Sequence, residues 1–406
     1  MQNLKPKRVL IFSLSYYPRF IGGAEVAIKE ITDRISSEEY VFDMVTAKLG
    51  KGLVAFEKIG NVNVYRVGFG NKFDKILFPV LGTIKTLFLI KKNHYDFFWP
   101  IMITYSTGVP YIINLIRKLF GFKKIPVLLT IQEGDSEEHI QKKNFGVSGM
   151  MWRIILLPVI ILLPKKFHHH GLISLSWALA LPRTDKVTVL SNYLKLQAEN
   201  YGYKGSIEII PNGVDLNLFS NGKEKNKKNC IQLITTSRLV EKNAVGDIID
   251  ALVYLPENIN FLILGQGYEE EKLKAKVVNL KLGDRVTFLG YIPHKDMPKY
   301  LHASDIFIRP SLSEGFGNSF IEAMASRIPV IATPVGGIID FLKDGETGLF
   351  CEVKNPKSIA QKVEKLIKDK ESRDYIVRNA YEMVKNKYDW NIIANDMKNK
   401  VFLKMI

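Results

Sequence analysis

The sequence predicts an α/β protein built as two doubly wound halves, each a mostly parallel sheet with crossover helices. Short apolar runs alternate with helical patterns from end to end, as parallel strands joined by crossovers require. At 406 residues the chain is too long for one ordinary core, so two domains are expected. A polar stretch, LNLFSNGKEKNKKN (216–229), interrupts the alternation near the middle and is the best linker.

The first half offers RVLIFSL, FDMVTA, VNVYRV, YDFFWP, IPVLLTI and KVTVLS as strands. After SIEIIPNGVD and the polar stretch, the second half restarts with IQLITTS, NINFLIL, RVTFLG, DIFIRP, PVIAT and GLFCE, separated by helical segments such as YEEEKLKAKVVNLK. No internal repeat, heptad array or low-complexity tract is present. In such folds ligands sit beyond the C-terminal ends of the strands, so residues just after strands are the ones to examine.

Hydrophobic content of 47% and charged content of 24% are those of a folded globular protein. The two cysteines, Cys230 and Cys351, fit neither a disulfide framework nor a zinc site, which favours a reducing compartment. MQNLKPKR leads straight into a strand without a small-residue cleavage site, so no signal peptide is expected and a cytoplasmic location is. Three adjacent histidines, His168 to His170, do not share a helix face and read as a solvated loop rather than a metal site.

The net charge of +16 calls for a polyanionic partner, a nucleic acid or an acidic membrane surface. Nucleic acid has only the charge in its favour, with no recognised motif or stacking set, and is not expected. Three segments mix bulky apolar residues with Lys or Arg: 73–93, 111–124 and 150–170. The apolar core of the third, Ile154 to Leu163, contains Pro158 and falls well short of the ~20 residues that span a bilayer. Each segment alone reads equally as an ordinary helix packed on a sheet. Together they favour peripheral contact with the cytoplasmic face of an anionic membrane.

The stretch RPSLSEGFGNSFIEAMASRIPVIAT (309–333) carries the most chemistry. It reads as a buried strand, a glycine loop holding Glu314, a helix holding Glu322, and a second strand. Gly315 and Gly317 allow close backbone approach to a ligand, and the helix start offers unpaired N–H groups to an anion. Carboxylates for hydroxyls beside amides for phosphate suit a sugar nucleotide. Earlier in the chain, Gly22 and Gly23 open a helix after the first strand, a setting for a diphosphate but a weak signal alone. They lack the dinucleotide spacing and the P-loop Lys. Arg238 and Lys242 lie four apart just past the strand IQLITTS, a spacing at which both reach one anion. Together they can neutralise a leaving diphosphate without a metal. Gly265-Gln266-Gly267 and Gly290-Tyr291-Ile292-Pro293 place backbone turns at two further strand ends.

This ordered set resembles retaining glycosyltransferases of family 4, which have the GT-B fold. It comprises Gly22-Gly23, PNGVD (211–215), SRLVEK (237–242), GQG (265–267), GYIP (290–293), EGFGNSFIEAMA (314–325), PVGG (334–337) and DGETGLF (344–350). The resemblance covers essentially the whole chain and is dense from Asn212 to Phe350. It implies two Rossmann-like domains facing each other across a cleft. The first, 1–205, would bind the acceptor and be joined by a C-terminal helix, 388–406; the second, 206–387, would bind the nucleotide sugar. The reaction would move a hexose from a UDP- or GDP-sugar to a glycan or lipid-linked acceptor, with retention, no cofactor and no metal.

The resemblance also assigns roles. Glu322 would bind the ribose hydroxyls and Glu314 the donor sugar's hydroxyls. Amides of Phe316, Gly317 and Asn318, with Ser319 nearby, would face the sugar and diphosphate. Arg238 and Lys242 would stabilise the departing diphosphate, the Gly22-Gly23 loop would cover it, Gly265 would belong to the donor site, and backbone near Tyr291 and Ile292 would hold the base. One departure stands out: Gln132, in VLLTIQEGDS, occupies the place where the family carries a histidine near the reacting sugar. Gln hydrogen-bonds a hydroxyl but is no general base; Glu133 and Asp135 are adjacent acids. A hydrolytic pair of Glu314 and Glu322 is disfavoured, because hydrolases set their carboxyls on opposite sides of the scissile bond. A sugar-nucleotide epimerase and a non-catalytic scaffold remain as alternatives.

Overall fold

The structure is a computed structural model describing residues 5–103, 105–132, 180–222 and 230–406. It divides into two compact units, Met1–Asn212 with Asn391–Ile406, and Gly213–Trp390.

In the first unit, β1 (Lys7–Phe12), β2 (Tyr40–Ala47), β3 (Phe56–Ile59), β4 (Val62–Val67) and β5 (Phe97–Pro100) form one sheet in the order β3-β4-β2-β1-β5. A second sheet holds β6 (Leu128–Ile131), β7 (Lys186–Val189) and β8 (Ile207–Ile209). Isolated parallel bridges Phe98–Val127 and Ile101–Thr130 join β5 to β6, so the two sheets run on from one another. Every pairing is parallel except β3 with β4. Val9 to Phe12 and the whole of β5 are buried, the continuous apolar character of strands covered on both faces.

The second unit is a single parallel sheet of β9 (Ile231–Thr236), β10 (Ile259–Leu264), β11 (Val286–Gly290), β12 (Ile306–Arg309), β13 (Val330–Ala332) and β14 (Leu349–Phe350). Its order is β11-β10-β9-β12-β13-β14. The winding reverses between β9 and β12, and ligands of doubly wound sheets bind at such a switch point. Leu233, Phe261, Ile263, Ile308 and Ile331 lead its core.

Every strand read from the sequence is present, and both units are Rossmann-like. Three details differ. SIEII forms β8 and pairs with β7, so the division falls after Asn212 rather than after 205. The described part of the polar stretch, 216–222, therefore lies inside the second unit rather than at its boundary. Its start, Leu216–Phe219, is a helical turn capped by Asp215 inside the second unit, and 223–229 lie outside the described residues. β3 was not expected; it pairs along an edge with alternate residues in water, so it lacks a full apolar run. At the C-terminus the second unit ends at Trp390 rather than 387, and the following residues belong to the first. There Phe402 packs at 5.1 Å from Trp99 and 5.4 Å from Phe97.

Candidate active site

The loops after β9 and β12 meet at the switch point of the second unit. Lys242 and Arg238 do not share an α-helix. Arg238 is on an open loop and Lys242 in the 3₁₀ turn Glu241–Asn243, which ends on Ala244 at φ +49°. Hydrogen bonds replace helical spacing as the device that positions them. Asn243 donates from Nδ2 to the Arg238 carbonyl at 2.7 Å. The Leu312 amide, in the loop that carries Glu314, donates to the Lys242 carbonyl at 2.7 Å. Arg238 is exposed and has no ion pair among the described residues.

A residue that the sequence reading passed over organises the other arm. Arg309 closes β12 and is buried. Its guanidinium pairs with the Glu314 carboxylate, donates from Nη1 to Ser319 Oγ at 2.7 Å and lies 4.3 Å from the centre of the Phe320 ring. Burial pulls its pKa below the ordinary value, Glu314 and then Glu322 oppose that, and Arg238 adds to it. Two carboxylates and the exposed arginine thus fall within electrostatic reach of one buried cation. Glu314 is consequently not a loose loop acid. One oxygen faces Arg309 and the other accepts from the Gly315 amide at 3.2 Å. Each oxygen keeps a lone pair for a ligand hydroxyl.

Backbone packing fixes the loop further. The Gly337 amide donates to the Glu314 carbonyl at 2.9 Å. Gly336 has φ +56°, and a Cβ there would stand 1.9 Å from that carbonyl oxygen, so glycine is required twice over. The Phe316 ring is buried 5.4 Å from Phe341 and 5.6 Å from Tyr388, anchoring the loop while leaving its amide at the start of the helix Asn318–Ala325. Gly317 caps that helix, and Asn318 and Ser319 open it, with the Ser319 hydroxyl engaged by Arg309.

Glu322 follows on the same helix, where His294 Nε2 stands 2.9 Å from its Oε1. His294 comes just after Ile292 and Pro293, on the loop following β11, so this loop orients the second carboxylate. Gly265, at φ +136°, has a packing reason: a Cβ would lie 1.8 Å from the Ser237 carbonyl oxygen. It lets the loop after β10 lie against the loop that carries Arg238.

Gly22, Gly23 and Gln132 belong to the first unit. Gly23 begins the helix Gly23–Asp33 with Gly22 as its cap, as expected, but a loop separates it from the end of β1. Glu25 ties this loop down, accepting from the Gly22 amide at 3.0 Å and from Ser15 at 2.7 Å. Gln132 follows β6 directly and lines a small hollow with Trp99, Thr130, Thr188 and Asn212. Glu133, Asp135, the histidines 168–170 and the segment 150–170 lie outside the described residues. Among the described residues no three His, Cys, Asp or Glu side chains are grouped to hold a metal ion.

Two family profiles and several known proteins match this chain along most of its length. The profile of the Glycosyltransferase Family 4 matches residues 21–218, and that of Glycosyl transferases group 1 matches residues 217–383. A glycosyltransferase of unassigned specificity from Methanocaldococcus jannaschii is 24% identical over 98% of this chain and 99% of its own. The capsular polysaccharide biosynthesis glycosyltransferase CapM of Staphylococcus aureus is 24% identical over 90% of this chain and 97% of its own. Among solved structures, sucrose-phosphate synthase from Thermosynechococcus elongatus superposes with a TM-score of 0.78 at 19% identity, covering 98% of this chain and 99% of the other. HepE from Anabaena in complex with UDP-glucose gives 0.71 at 18% identity, covering 98% and 99%. Epimerase and scaffold are thereby set aside: the chain belongs to the family 4, group 1 glycosyltransferases of GT-B type and is a transferase.

Proposed function

We propose that this enzyme moves a hexose from a UDP- or GDP-sugar to a glycan or lipid-linked acceptor, with retention and without a bound metal, in the synthesis of a surface polysaccharide or glycolipid. The observation that carries this reading is buried Arg309 at the switch point, paired with Glu314 and bonded to Ser319, beside a loop whose Leu312 amide donates to the turn that carries Lys242. The names of CapM and of the HepE complex support the product and donor classes.

In this reading the bond between the sugar's C1 and the diphosphate oxygen breaks, and a bond from C1 to the acceptor oxygen forms as the acceptor hydroxyl passes its proton to the departing diphosphate. Negative charge builds on the diphosphate, where Arg238, Lys242 and the amides opening the helix Asn318–Ala325 stabilise it. Glu322, oriented by His294, accepts from the ribose hydroxyls. Glu314, oriented by Arg309, accepts from the sugar hydroxyls. The donor base is held by backbone near Ile292, which leaves the choice of UDP or GDP to experiment.

The test incubates the purified enzyme with each nucleotide sugar, with and without a lipid-linked acceptor, in EDTA. Acceptor-dependent release of nucleoside diphosphate, with the donor's anomeric configuration kept in the product by NMR, is the expected result. An inverted product overturns retention, and loss of turnover in EDTA restored by a divalent cation overturns the metal-free mechanism.

A further inference from the structure

In the first unit the helix Asp74–Lys92 faces the wrong way for a protein surrounded by water. Its buried side carries Asp74, Gly82, Thr83 and Thr86 beside Phe78 and Leu89. The two threonine hydroxyls fold back on the carbonyls of Pro79 and Gly82 at 2.6 and 2.7 Å. Its outward side, from the capping residue on, carries Phe73, Leu77, Val80, Ile84 and Leu87, spaced by three or four residues into one stripe, with Phe88 beside Leu87; all are exposed. Val80 is 61% and Phe88 62% exposed. A helix bordered by water places those residues on the opposite side.

The helix Gly108–Leu119 packs beside it. Phe78, Leu89, Val109 and Ile113 share one core, and a Cβ on Gly82 would stand 3.0 Å from Val109. This second helix turns out Ile112, Leu115 and Leu119, and the turn after it adds Phe120 and Phe122; Leu119 is 75% exposed. Large apolar patches left uncovered mark sites of association.

The charges around the patch identify what covers it. Residues 68–94 and 105–125 contain a single acid, Asp74, which is buried and accepts from the amides of Phe69, Gly70 and Asn71. The same stretches carry Lys72, Lys75, Lys91, Lys92, Lys118 and Lys123, all exposed. A second copy of the chain would press this positive field against itself. An anionic bilayer offers apolar depth for the aromatic and aliphatic side chains and negative headgroups for the lysines. No described helix is long and apolar enough to cross a membrane, so contact is along the interface.

We propose that the outward face of Asp74–Lys92 and Gly108–Leu119 docks onto an anionic lipid surface. The inference goes beyond the transferase reading and stands apart from it, since docking is measured without donor or acceptor. The experiment sediments the full chain with vesicles of phosphatidylcholine alone or of phosphatidylcholine containing one third phosphatidylserine. Binding to the anionic vesicles only, weakened by salt, is expected. Lys91→Gln with Lys92→Gln should weaken it about twenty-five-fold, at roughly five-fold for each lysine near the surface. Val80→Glu with Phe88→Glu should abolish it while leaving the melting temperature within about 2 °C of wild type, since both side chains are exposed. Wild type that ignores anionic vesicles overturns the proposal, as does a Val80→Glu, Phe88→Glu variant that binds normally. Dimers in sedimentation velocity that this variant dissolves also overturn it, because the face would then join copies of the chain.

Discussion

Replacing Arg309 by Met tests the centre of the active site. Met fills much of the space of the arginine stem but removes the charge that faces Glu314 and the donor held at 2.7 Å from Ser319. The Glu314 side chain, 15% exposed, is then a largely buried carboxylate with only the Gly315 amide left to satisfy it. Removing one member of a buried ion pair costs about 3–5 kcal/mol, because the other is left uncompensated. In a unit of the size of Gly213–Trp390, about 1 kcal/mol lowers the melting temperature by about 2–4 °C. The Met variant should therefore melt about 6–20 °C lower at neutral pH. Adding Glu314→Gln removes the stranded charge and should restore roughly half of that loss, a coupling of at least about 2 kcal/mol once the loss in Glu314→Gln alone is counted. Calorimetric melting of wild type, both single variants and the double variant measures it. If Arg309→Met melts within about 2 °C of wild type, or if the two losses simply add, the two side chains are not a coupled pair and the account of the site fails.

Three further outcomes are expected. Gly336→Ala forces a left-handed backbone on alanine at about 1–2 kcal/mol and drives a methyl into the Glu314 carbonyl; kcat/KM should drop at least about ten-fold in a chain that still folds, and wild-type turnover would contradict the packing argument. Arg238→Ala removes a charge-assisted contact worth about 1.5–3 kcal/mol to the leaving diphosphate, so kcat should fall about ten- to a hundred-fold; an unchanged kcat in a donor-saturated assay rejects that role. Burial pushes Tyr388 from 10.0 up to about 12 and Cys351 from 9.0 up to about 12. Both stay protonated in the folded state after the unfolded chain has released its protons, so their stabilisation is complete below pH 9 and lost as pH rises from 9 to 12. Melting temperatures followed across that window should fall, and a flat profile up to pH 12 would refute the burial argument.

What could be read in the chain follows from how local each signal is. A strand buried on both faces is a run of apolar residues, and a glycine-rich loop announces itself within a few positions; hence β9, β12 and the loop with Glu314 and Glu322 were legible, as were Arg238 and Lys242 after their strand. Arg309 was not, since a charged residue ending an apolar run looks like the last residue before solvent. Only the fold shows it buried against Glu314 and Ser319. His294 is likewise ordinary in sequence, and its partner Glu322 comes from a different loop.

The sequence by itself determined the strands with full apolar runs, their parallel character and the order of the carboxylates, cations and glycines, because these depend on residue type and spacing along the chain; β3 and β8, short and partly in water, escaped it. Tertiary structure decided everything that depends on which segment lies beside which. It assigned β8 to β7 and moved the boundary to Asn212. It also explained Gly265 and Gly336 by backbone atoms far along the chain, and turned the large apolar face of Asp74–Lys92 outward. Apolar periodicity reveals that a helix has a greasy side; only the packing of its neighbours decides whether that side meets the core or the surroundings.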